Sequence, residues 1–395
     1  LGTLDASAQS YSQTARAFVQ SPQALGMGDT GVAFTSRENV FFYNPAHLAH
    51  VAGLRPRISI LGIRGSLSDN LFDQIAFYQD ELEPAIDEGI DNLSNERQEE
   101  LYDEAIALGR KRTFLNGDLL LPSVMMRVGD VGIGAGIFGH SMLRYRFEDA
   151  GAGVPLIDMN AIADLIIVGS AAADLSNYGV DGLTAGITGK IAQRWLTSKN
   201  KALDELSEDE DVYLLKGSSI GFDIGLLYDI DFVPLPGDLK LGFTAYDIIA
   251  SDFDYKFNSN LTENSADNQA VISEEEDYAN ETFGLSPSFR IGAAYMFPGL
   301  STLGILKNTG ITLDYLWYSD PLIKQESLAN LHVGAQAQLA FFVARAGLSQ
   351  GYTTLGAGLH LGFMKIDYAF YGVEQGRYPG QLPGWNHTAQ IAFGL

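Results

Sequence analysis

The stretch Leu331-His-Val-Gly-Ala-Gln-Ala-Gln-Leu339 decides the fold, because its apolar and polar residues alternate without interruption. One face carries leucine, valine and alanine, whereas the other carries histidine, glycine and glutamine. A period of two residues indicates a β-strand with one apolar and one polar face. The same alternation returns after short turns in residues 342–348, 355–363, 366–371 and 389–395. The C-terminal part of the chain is therefore predicted to be a run of antiparallel strands.

Two architectures contain consecutive two-faced strands of this kind. A soluble sandwich buries its apolar faces and uses strands of about five or six residues. A transmembrane barrel turns its apolar faces outward to lipid and uses strands of about 9–11 residues. The strands here are of the longer kind, and their polar faces mix charge with glycine. The pattern favours the barrel, whose sheet must close because hydrocarbon cannot satisfy the hydrogen bonds of an open edge.

Composition narrows the classes further. The chain has 395 residues, no cysteine and a net charge of −24, which excludes disulfides and argues against nucleic-acid binding. No apolar run approaches the roughly 20 residues of a membrane helix, and the start at Leu1-Gly2-Thr3 resembles a mature, processed end. Acidic blocks at 205–211 and 274–277 are predicted to be solvated loops, with a calcium site as the alternative. We expect no cofactor and no resident metal.

Extending the alternation along the chain predicts 14 strands. Their approximate ranges are 56–66, 117–128, 131–147, 163–175, 182–195, 218–230, 239–256, 285–297, 310–319, 330–340, 341–349, 354–363, 364–374 and 385–395. Connections after the odd strands are mostly long and those after the even strands mostly short, as in outer-membrane barrels with long extracellular loops. The assignment of 163–175 competes with a helix. The three tryptophans, Trp195, Trp317 and Trp385, are predicted to lie at the extracellular rim.

The first long connection, residues 67–116, contains the clear helical pattern of the chain, between Leu71 and Arg112. Ile86, Ile90 and Leu93 follow a helical spacing and are flanked by acidic residues. We expect a helical extracellular insertion. Its two interpretations are a lid or packing helix over the barrel mouth, which we favour, and a docking surface for a partner or ligand.

Glycines near the N-terminus form a second pattern. Gly26, Gly28 and Gly31 satisfy G-x-G-x-x-G, but no strand pattern precedes them, so a dinucleotide site is not expected. Ala24-Leu-Gly-Met-Gly-Asp-Thr-Gly-Val-Ala33, followed about ten residues later by Tyr43-Asn-Pro-Ala46, resembles the N-terminal signature of FadL-like outer-membrane proteins. That superfamily contains fatty-acid and aromatic-hydrocarbon transporters and the PorV-like proteins of the type IX secretion system. His47 departs from its usual small residue.

The resemblance implies a 14-stranded barrel in the bacterial outer membrane, with the N-terminal segment folded inside as a plug. We accordingly divide the chain into the N-terminal segment and plug, 1–55, and the barrel, 56–395. The expected plug residues are Gly26, Gly28, Gly31, Phe41, Phe42, Asn44 and Pro45. Frequent glycines on the inferred lumen face have two explanations, which are close approach of the plug backbone and easing of barrel curvature.

Charged residues on the inferred lumen face are predicted to pair with one another or with the plug. The expected polar network consists of Lys240, Asp314, Arg345, Lys365 and Asp367. His332 and His360 are the candidate bases inside the barrel, and neither has a recognisable nucleophile partner in the sequence. We therefore expect no catalytic residues and no enzymatic activity.

The leading functional hypothesis, which rests mainly on the resemblance, is uptake of hydrophobic or amphipathic small molecules. The first alternative is a PorV-like component of type IX secretion, and the second is a membrane anchor for surface protein assemblies. The expected partners are outer-membrane lipid, a hydrophobic ligand and, under the alternatives, a surface or secretion-system protein. The barrel is expected to be monomeric and to bind no nucleic acid.

Overall fold

The computed structural model describes residues 18–50, 55–89, 92–149, 155–202, 214–231, 236–257, 269–297, 306–319, 326–376 and 378–394. Fifteen strands form one antiparallel sheet. They are β1 Arg57–Ser68, β2 Thr113–Val128, β3 Val131–Asp149, β4 Pro155–Asp174, β5 Leu183–Ala202, β6 Leu215–Asp229, β7 Asp238–Ala250, β8 Lys256–Phe257, β9 Ser288–Met296, β10 Leu306–Tyr318, β11 Leu331–Leu339, β12 Phe342–Ser349, β13 Tyr352–His360, β14 Met364–Glu374 and β15 Pro383–Gly394.

The sheet closes into a barrel because β1 pairs with β2 on one side and with the last strand, β15, on the other. The two-residue strand β8 adds only a short pairing to the top of β6, so 14 strands form the wall. The predicted number of strands is confirmed. The competing helix at 163–175 is wrong, because β4 pairs with β3 from Pro155 to Ala173. The predicted strand 239–256 is also too long, since β7 ends at Ala250.

Strict alternation gives the wall an apolar outer face. Large aliphatic side chains point outward with 44–57% of their surface exposed. Examples from around the barrel are Ile63, Ile133, Ile187, Ile311, Leu355 and Ile391. Most of their neighbours along each strand point into the lumen and are buried. An outward apolar belt on a closed sheet is the arrangement of an outer-membrane barrel.

The helices are short. They are α1 Pro22–Leu25, α2 Val40–Tyr43, α3 Asn70–Phe77, α4 Glu83–Glu88, α5 Asn95–Gly109 and α6 Gln269–Thr282, with a π-helical turn, Tyr78–Leu82, joining α3 to α4 and 3₁₀ turns that include Pro45–His50. None of the described helices is long and apolar enough to cross a membrane.

The insertion between β1 and β2 is helical, as predicted, but the favoured lid over the barrel mouth is wrong. Helix α5 packs on Phe147, and a β-carbon at Gly109 would lie 2.1 Å from that ring. Phe147 lies an even number of residues from Ile133 and Ile137 on β3, so its side chain points to the same lipid-facing side of the strand. The helices therefore lie against the outside of the wall. They do so because Tyr145 and Phe147 extend the apolar outer face above the point where β1 ends.

Candidate functional site: the buried N-terminal segment and its two chambers

The N-terminal segment, residues 18–50, crosses the barrel interior and is almost entirely buried. Its first helix, α1, begins at the N-cap Ser21, whose Oγ accepts the Gln23 N–H at 3.1 Å. The 3₁₀ turn Pro45–His50 packs against β3, β4, β5 and β6, whereas α1 packs against β13 and β14. The segment thus bridges opposite sides of the wall. Residues 51–54 lie outside the described set, so the boundary at residue 55 stays a prediction.

The glycines of the N-terminal motif lie where the segment meets the wall. Gly28 has φ +69°, and a β-carbon there would lie 2.4 Å from the carbonyl oxygens of Val333 and Leu348. Gly26 approaches Gly356, since a β-carbon on Gly26 would lie 2.8 Å from the Gly356 Cα. Gly31 makes room for the ring of Tyr43 instead. The motif therefore serves close backbone approach, which explains its glycines without a nucleotide.

Most of the lumen glycines face the segment in the same way. An added β-carbon would lie 2.0–2.7 Å from atoms of residues 27–48 at each of these wall positions: Gly132, Gly186, Gly225, Gly242, Gly292, Gly334 and Gly347. The close-approach explanation therefore holds for this set. It does not hold for Gly136, Gly221, Gly358 and Gly362, which meet other wall atoms or open space.

Asn44 holds the turn at the middle of the segment. Its Nδ2 donates to the carbonyl oxygens of Val32 at 2.8 Å and of Leu226 on β6 at 3.0 Å, and its Oδ1 accepts the Ala46 N–H at 3.0 Å. Its backbone is extended, at φ −159° and ψ 109°, as expected before Pro45. Next to this turn, the rings of Phe41 and Phe42 contact Phe138 of β3.

Buried charges tie the segment to β9 and β10. Arg290 Nη2 contacts Asp29 Oδ2 at 2.9 Å, and the hydroxyl of Tyr43 donates to the other oxygen of Asp29 at 2.7 Å. Asp314 Oδ2 accepts the backbone N–H groups of Gly31 at 2.8 Å and Val32 at 3.1 Å. Charge-assisted bonds of this kind are about twice as strong as neutral ones. Asp29 is absent from the predicted polar network, although a lone carboxylate inside a glycine-rich stretch is a signal for such a pairing.

The five residues of the predicted polar network fall into separate groups. Arg345 and Asp367 form an ion pair at 2.8 Å, and Gln23 of the segment donates to Asp367 at 2.9 Å. Lys240 pairs instead with Asp229 at 2.7 Å, near the periplasmic rim. Asp314 belongs to the Arg290 group just described. The fifth residue, Lys365, lines the space beneath the segment.

His47, the departure from the family signature, faces the periplasmic side. Its Nε2 lies 3.2 Å from the Val32 carbonyl oxygen. Burial, together with the nearby His50, lowers the pKa of His47 to about 3. The ring is therefore neutral at physiological pH and donates a hydrogen bond that holds the segment's own fold.

The segment divides the lumen into two spaces. The upper chamber, on the extracellular side, has about 900 Å³ of empty space, open solvent included. Its apolar lining consists of Phe18, Leu25, Met142, Leu316, Tyr371 and Val373, and its polar lining includes Arg64, Asn116, His140 and Arg290. The lower chamber, of about 1030 Å³, is polar and includes Arg37, Gln336, Gln338, His360 and Lys365.

One corner of the upper chamber carries hydrogen-bonding atoms without partners among the described residues. Arg64 is 4% exposed and is paired through Nη2 with Asp118, which His140 also contacts. The Nε and Nη1 atoms of Arg64 and the Oδ1 atom of Asn116 have no partner. Two buried donors beside an apolar lining suit the acceptor head of an amphipathic molecule.

Comparisons with known proteins agree with the barrel. The toluene transporter TbuX of Ralstonia pickettii matches with a TM-score of 0.52 and 15% identity, over 94% of this chain and 97% of that chain. The deltaS2 mutant of the TodX monoaromatic hydrocarbon channel matches at 0.51 and 11%, over 94% and 97%. A Pseudomonas aeruginosa FadL homologue matches at 0.46 and 13%, over 94% and 96%. The first two of these neighbours confirm the fold of a closed β-barrel.

Comparison with sequence-family models covers a smaller part of the chain than the structural matches do. A family model described as "F plasmid transfer operon, TraF, protein" matches residues 160–304, less than half of the chain. A search of curated proteins finds no match.

Proposed function

We propose that the protein is a monomeric outer-membrane barrel that takes up amphipathic hydrophobic molecules, and that its ligand binds in the upper chamber. The observation that carries the proposal is the pairing of an apolar lining with the unpartnered donors of Arg64. A carboxylate or another acceptor head would satisfy these donors, and the acyl or aromatic part would lie against Leu316 and Tyr371. Solved structures with the same fold are described as a toluene transporter and a monoaromatic hydrocarbon channel, which supports a hydrophobic cargo.

The segment and the lower chamber suggest the direction of release. The lower chamber is polar, so a hydrophobic molecule loses its apolar contacts there and gains nothing by staying. Movement past the segment requires displacement of the bonds of Asp29 and Asp314. We assign no chemical step to the protein, and residues 18–50 act as the gating unit.

Filling the chamber tests the proposal. Leu316 points into the chamber and is 6% exposed, whereas Leu313 on the same strand points to lipid and is 46% exposed. We expect Leu316→Trp to weaken binding of a fluorescent long-chain fatty acid by on the order of tenfold, because it displaces about two methylenes of the ligand. The matched variant Leu313→Trp should leave binding unchanged. Equal binding by both variants and the parent would place the ligand elsewhere and overturn the proposal.

The head group can be tested separately. We expect Arg64→Met to weaken fatty-acid binding by roughly tenfold, since hydrogen bonds to charged groups contribute about 1.5–3 kcal/mol. The corresponding fatty alcohol should be affected less. The secretion-component and anchor alternatives stay predictions; purification with a large protein partner and without any bound amphiphile would favour them.

A further inference from the structure

The helical insertion presents an apolar stripe that the barrel does not cover. Phe72, Ile75 and Tyr78 recur every three residues along α3 and its π-helical continuation, and they are 58%, 45% and 49% exposed. Asn70 and Phe77, on a different side of the same helix, are buried. Asp73 and Asp80 project from the side opposite the stripe. The apolar face of the helix therefore points away from the residues that pack on the protein, so contact with the wall does not account for it.

The insertion is fixed to the outside of the wall at the level of the extracellular aromatic belt. The N–H of Asp69, just before α3, donates to the carbonyl oxygen of Trp385 at 2.9 Å. Trp385 begins the downward strand β15 and stacks on Phe370 at a ring distance of 5.1 Å. Tryptophan and its aromatic neighbours lie at the headgroup level in membrane barrels. Helix α3 therefore starts where headgroups meet acyl chains.

Hydrogen bonds set the helix along the wall rather than away from it. Asn70 Nδ2 donates to Thr113 Oγ1 at 2.8 Å at the top of β2. One turn later, Gln74 Oε1 accepts from the hydroxyls of Thr113 at 3.1 Å and Tyr145 at 2.7 Å. Because Thr113 and Tyr145 belong to the adjacent strands β2 and β3, the helix lies against the extracellular ends of both strands.

An apolar cavity lies between this helix, α5 and the wall. It has about 840 Å³ of empty space, open solvent included. Its lining includes Leu71, Ile75, Leu82 and Leu108 from the insertion and Phe147 from β3. The polar groups of Gln74 and Tyr145 at its edge are already bonded to each other. The cavity thus offers mainly apolar surface to a ligand.

The surroundings point to a lipid chain as the occupant. The cavity and the stripe share Ile75 and Tyr78, so they form one continuous apolar surface at headgroup level. The exposed cation Arg110 follows α5 directly, beside Lys111, whose carbonyl accepts from Asn70. Cations next to an apolar stripe suit the anionic headgroup and acyl chain of a membrane lipid. A water-exposed lid would carry no such stripe.

We propose that α3 is an interfacial helix inserted into the outer leaflet, and that the cavity behind it holds an acyl chain of an outer-leaflet lipid. Phe72, Ile75 and Tyr78 lie among the acyl chains, while Asp73 and Asp80 face water. The lipid completes the outer surface of the barrel where the wall rises above the end of β1. The site is separate from the luminal chamber, because the wall lies between them.

The depth of the helix can be measured directly, because the chain contains no cysteine. Single cysteines at Ile75 and Asp80 would carry nitroxide labels in vesicles of phosphatidylethanolamine and phosphatidylglycerol. We expect the label at 75 to collide preferentially with oxygen, which partitions into lipid, and the label at 80 with a water-soluble nickel reagent. Equal exposure of both labels to the nickel reagent would overturn the insertion of the helix.

The cavity needs a second measurement. Leu108→Trp fills it, whereas Glu99→Trp places the same ring on an exposed position of α5. After delipidation in detergent, we expect native mass spectrometry to detect about tenfold less retained lipid on Leu108→Trp, which corresponds to about two lost methylene contacts. Glu99→Trp should retain lipid like the parent. Equal retention by all three folded proteins would overturn the acyl-chain site even if the helix is inserted.

Discussion

The two sides of the barrel differ in height. The tall wall, β2 to β6, has strands of 15–20 residues, whereas the short wall, β11 to β13, has strands of 8–9 residues. A membrane requires about 9–11 residues per tilted strand. The strands of the short wall are therefore only about long enough to cross the membrane, and those of the tall wall continue beyond the membrane on the extracellular side. The additional length supports structure that the bilayer does not require.

The two walls also treat the lumen differently. The short wall presents glycine backbone to the N-terminal segment, at Gly334, Gly347 and Gly356. The upper tall wall presents charged side chains, led by the buried pair Arg194–Asp164. Phe253, from the connection after β7, lies under the Arg194 guanidinium at 4.5 Å. Both walls hold the segment, since Gly132, Gly186 and Gly225 of the tall wall also meet it. The tall wall in addition anchors extracellular loops inside the mouth and the helical insertion outside it.

The largest expected effect follows from breaking the tall wall's central ion pair. Arg194 donates from Nε and Nη2 to the two oxygens of Asp164 at 2.7 and 2.8 Å, and both side chains are at most 1% exposed. We expect Arg194→Ala to lower the free energy of unfolding by about 3–5 kcal/mol, because it leaves Asp164 buried without a partner. The midpoint of urea unfolding, followed by the heat-modifiable gel band, measures this loss.

Two controls sharpen that result. Arg97→Ala removes an exposed ion pair of the insertion and should leave the urea midpoint nearly unchanged, because solvent screens such a pair. The double variant Arg194→Ala/Asp164→Ala should recover part of the lost stability, since no uncompensated charge remains. A double variant as unstable as the single one would show that packing on Phe253, and not charge, holds the tall wall together.

A smaller effect is expected at the contact with the short wall. Gly28 and Gly362 both have positive φ, +69° and +83°, but only Gly28 lies against other backbone. Alanine in this conformation costs about 1–2 kcal/mol at either site. At Gly28 it also collides with the carbonyl oxygens of Val333 and Leu348. We therefore expect Gly28→Ala, but not Gly362→Ala, to expose residues 24–49 to protease and raise solute leakage through the folded barrel.

Equal leakage from the two variants would show that backbone strain alone explains the effect. The glycines of the short wall would then not serve the close approach of the segment. Unchanged protease resistance in Gly28→Ala would have the same consequence.

The alternating pattern predicted the barrel well, because side-chain parity is a local property of the sequence. The same pattern also indicates the longer β4 of the structure, since Ile157 and Met159 alternate with Asp158 and Asn160 ahead of the predicted start of that strand at residue 163. The height of the tall wall was also underestimated at the end of β5, which contains Trp195. This residue was predicted to end its strand, yet β5 continues to Ala202.

The contacts of the segment were less predictable. The Asp29–Arg290 pair joins residues 261 positions apart, and no local pattern specifies which lumen cation a carboxylate meets. The insertion shows a second limit. Its helices were predicted from the periodicity of the sequence. Their position outside the wall depends on Tyr145 and Phe147, which point outward from β3 above the end of β1. That contact can be predicted only when the heights of the two strands are known.

The smallest expected effect concerns the turn between the walls. Pro45 lies against β6, where a β-carbon at Gly225 would be 2.7 Å from the proline ring, and its fixed φ keeps Asn44 extended. We expect Pro45→Ala to destabilise the segment by about 0.4–1 kcal/mol through its greater freedom when released. Protease access to residues 24–49 and leakage should rise slightly, while gel migration of the barrel stays unchanged because its hydrogen-bond ladder is closed. Pro84→Ala, in the insertion, should change neither. Loss of the folded gel band in Pro45→Ala without added leakage would mean that the segment takes part in barrel assembly, so that neither wall could form without it.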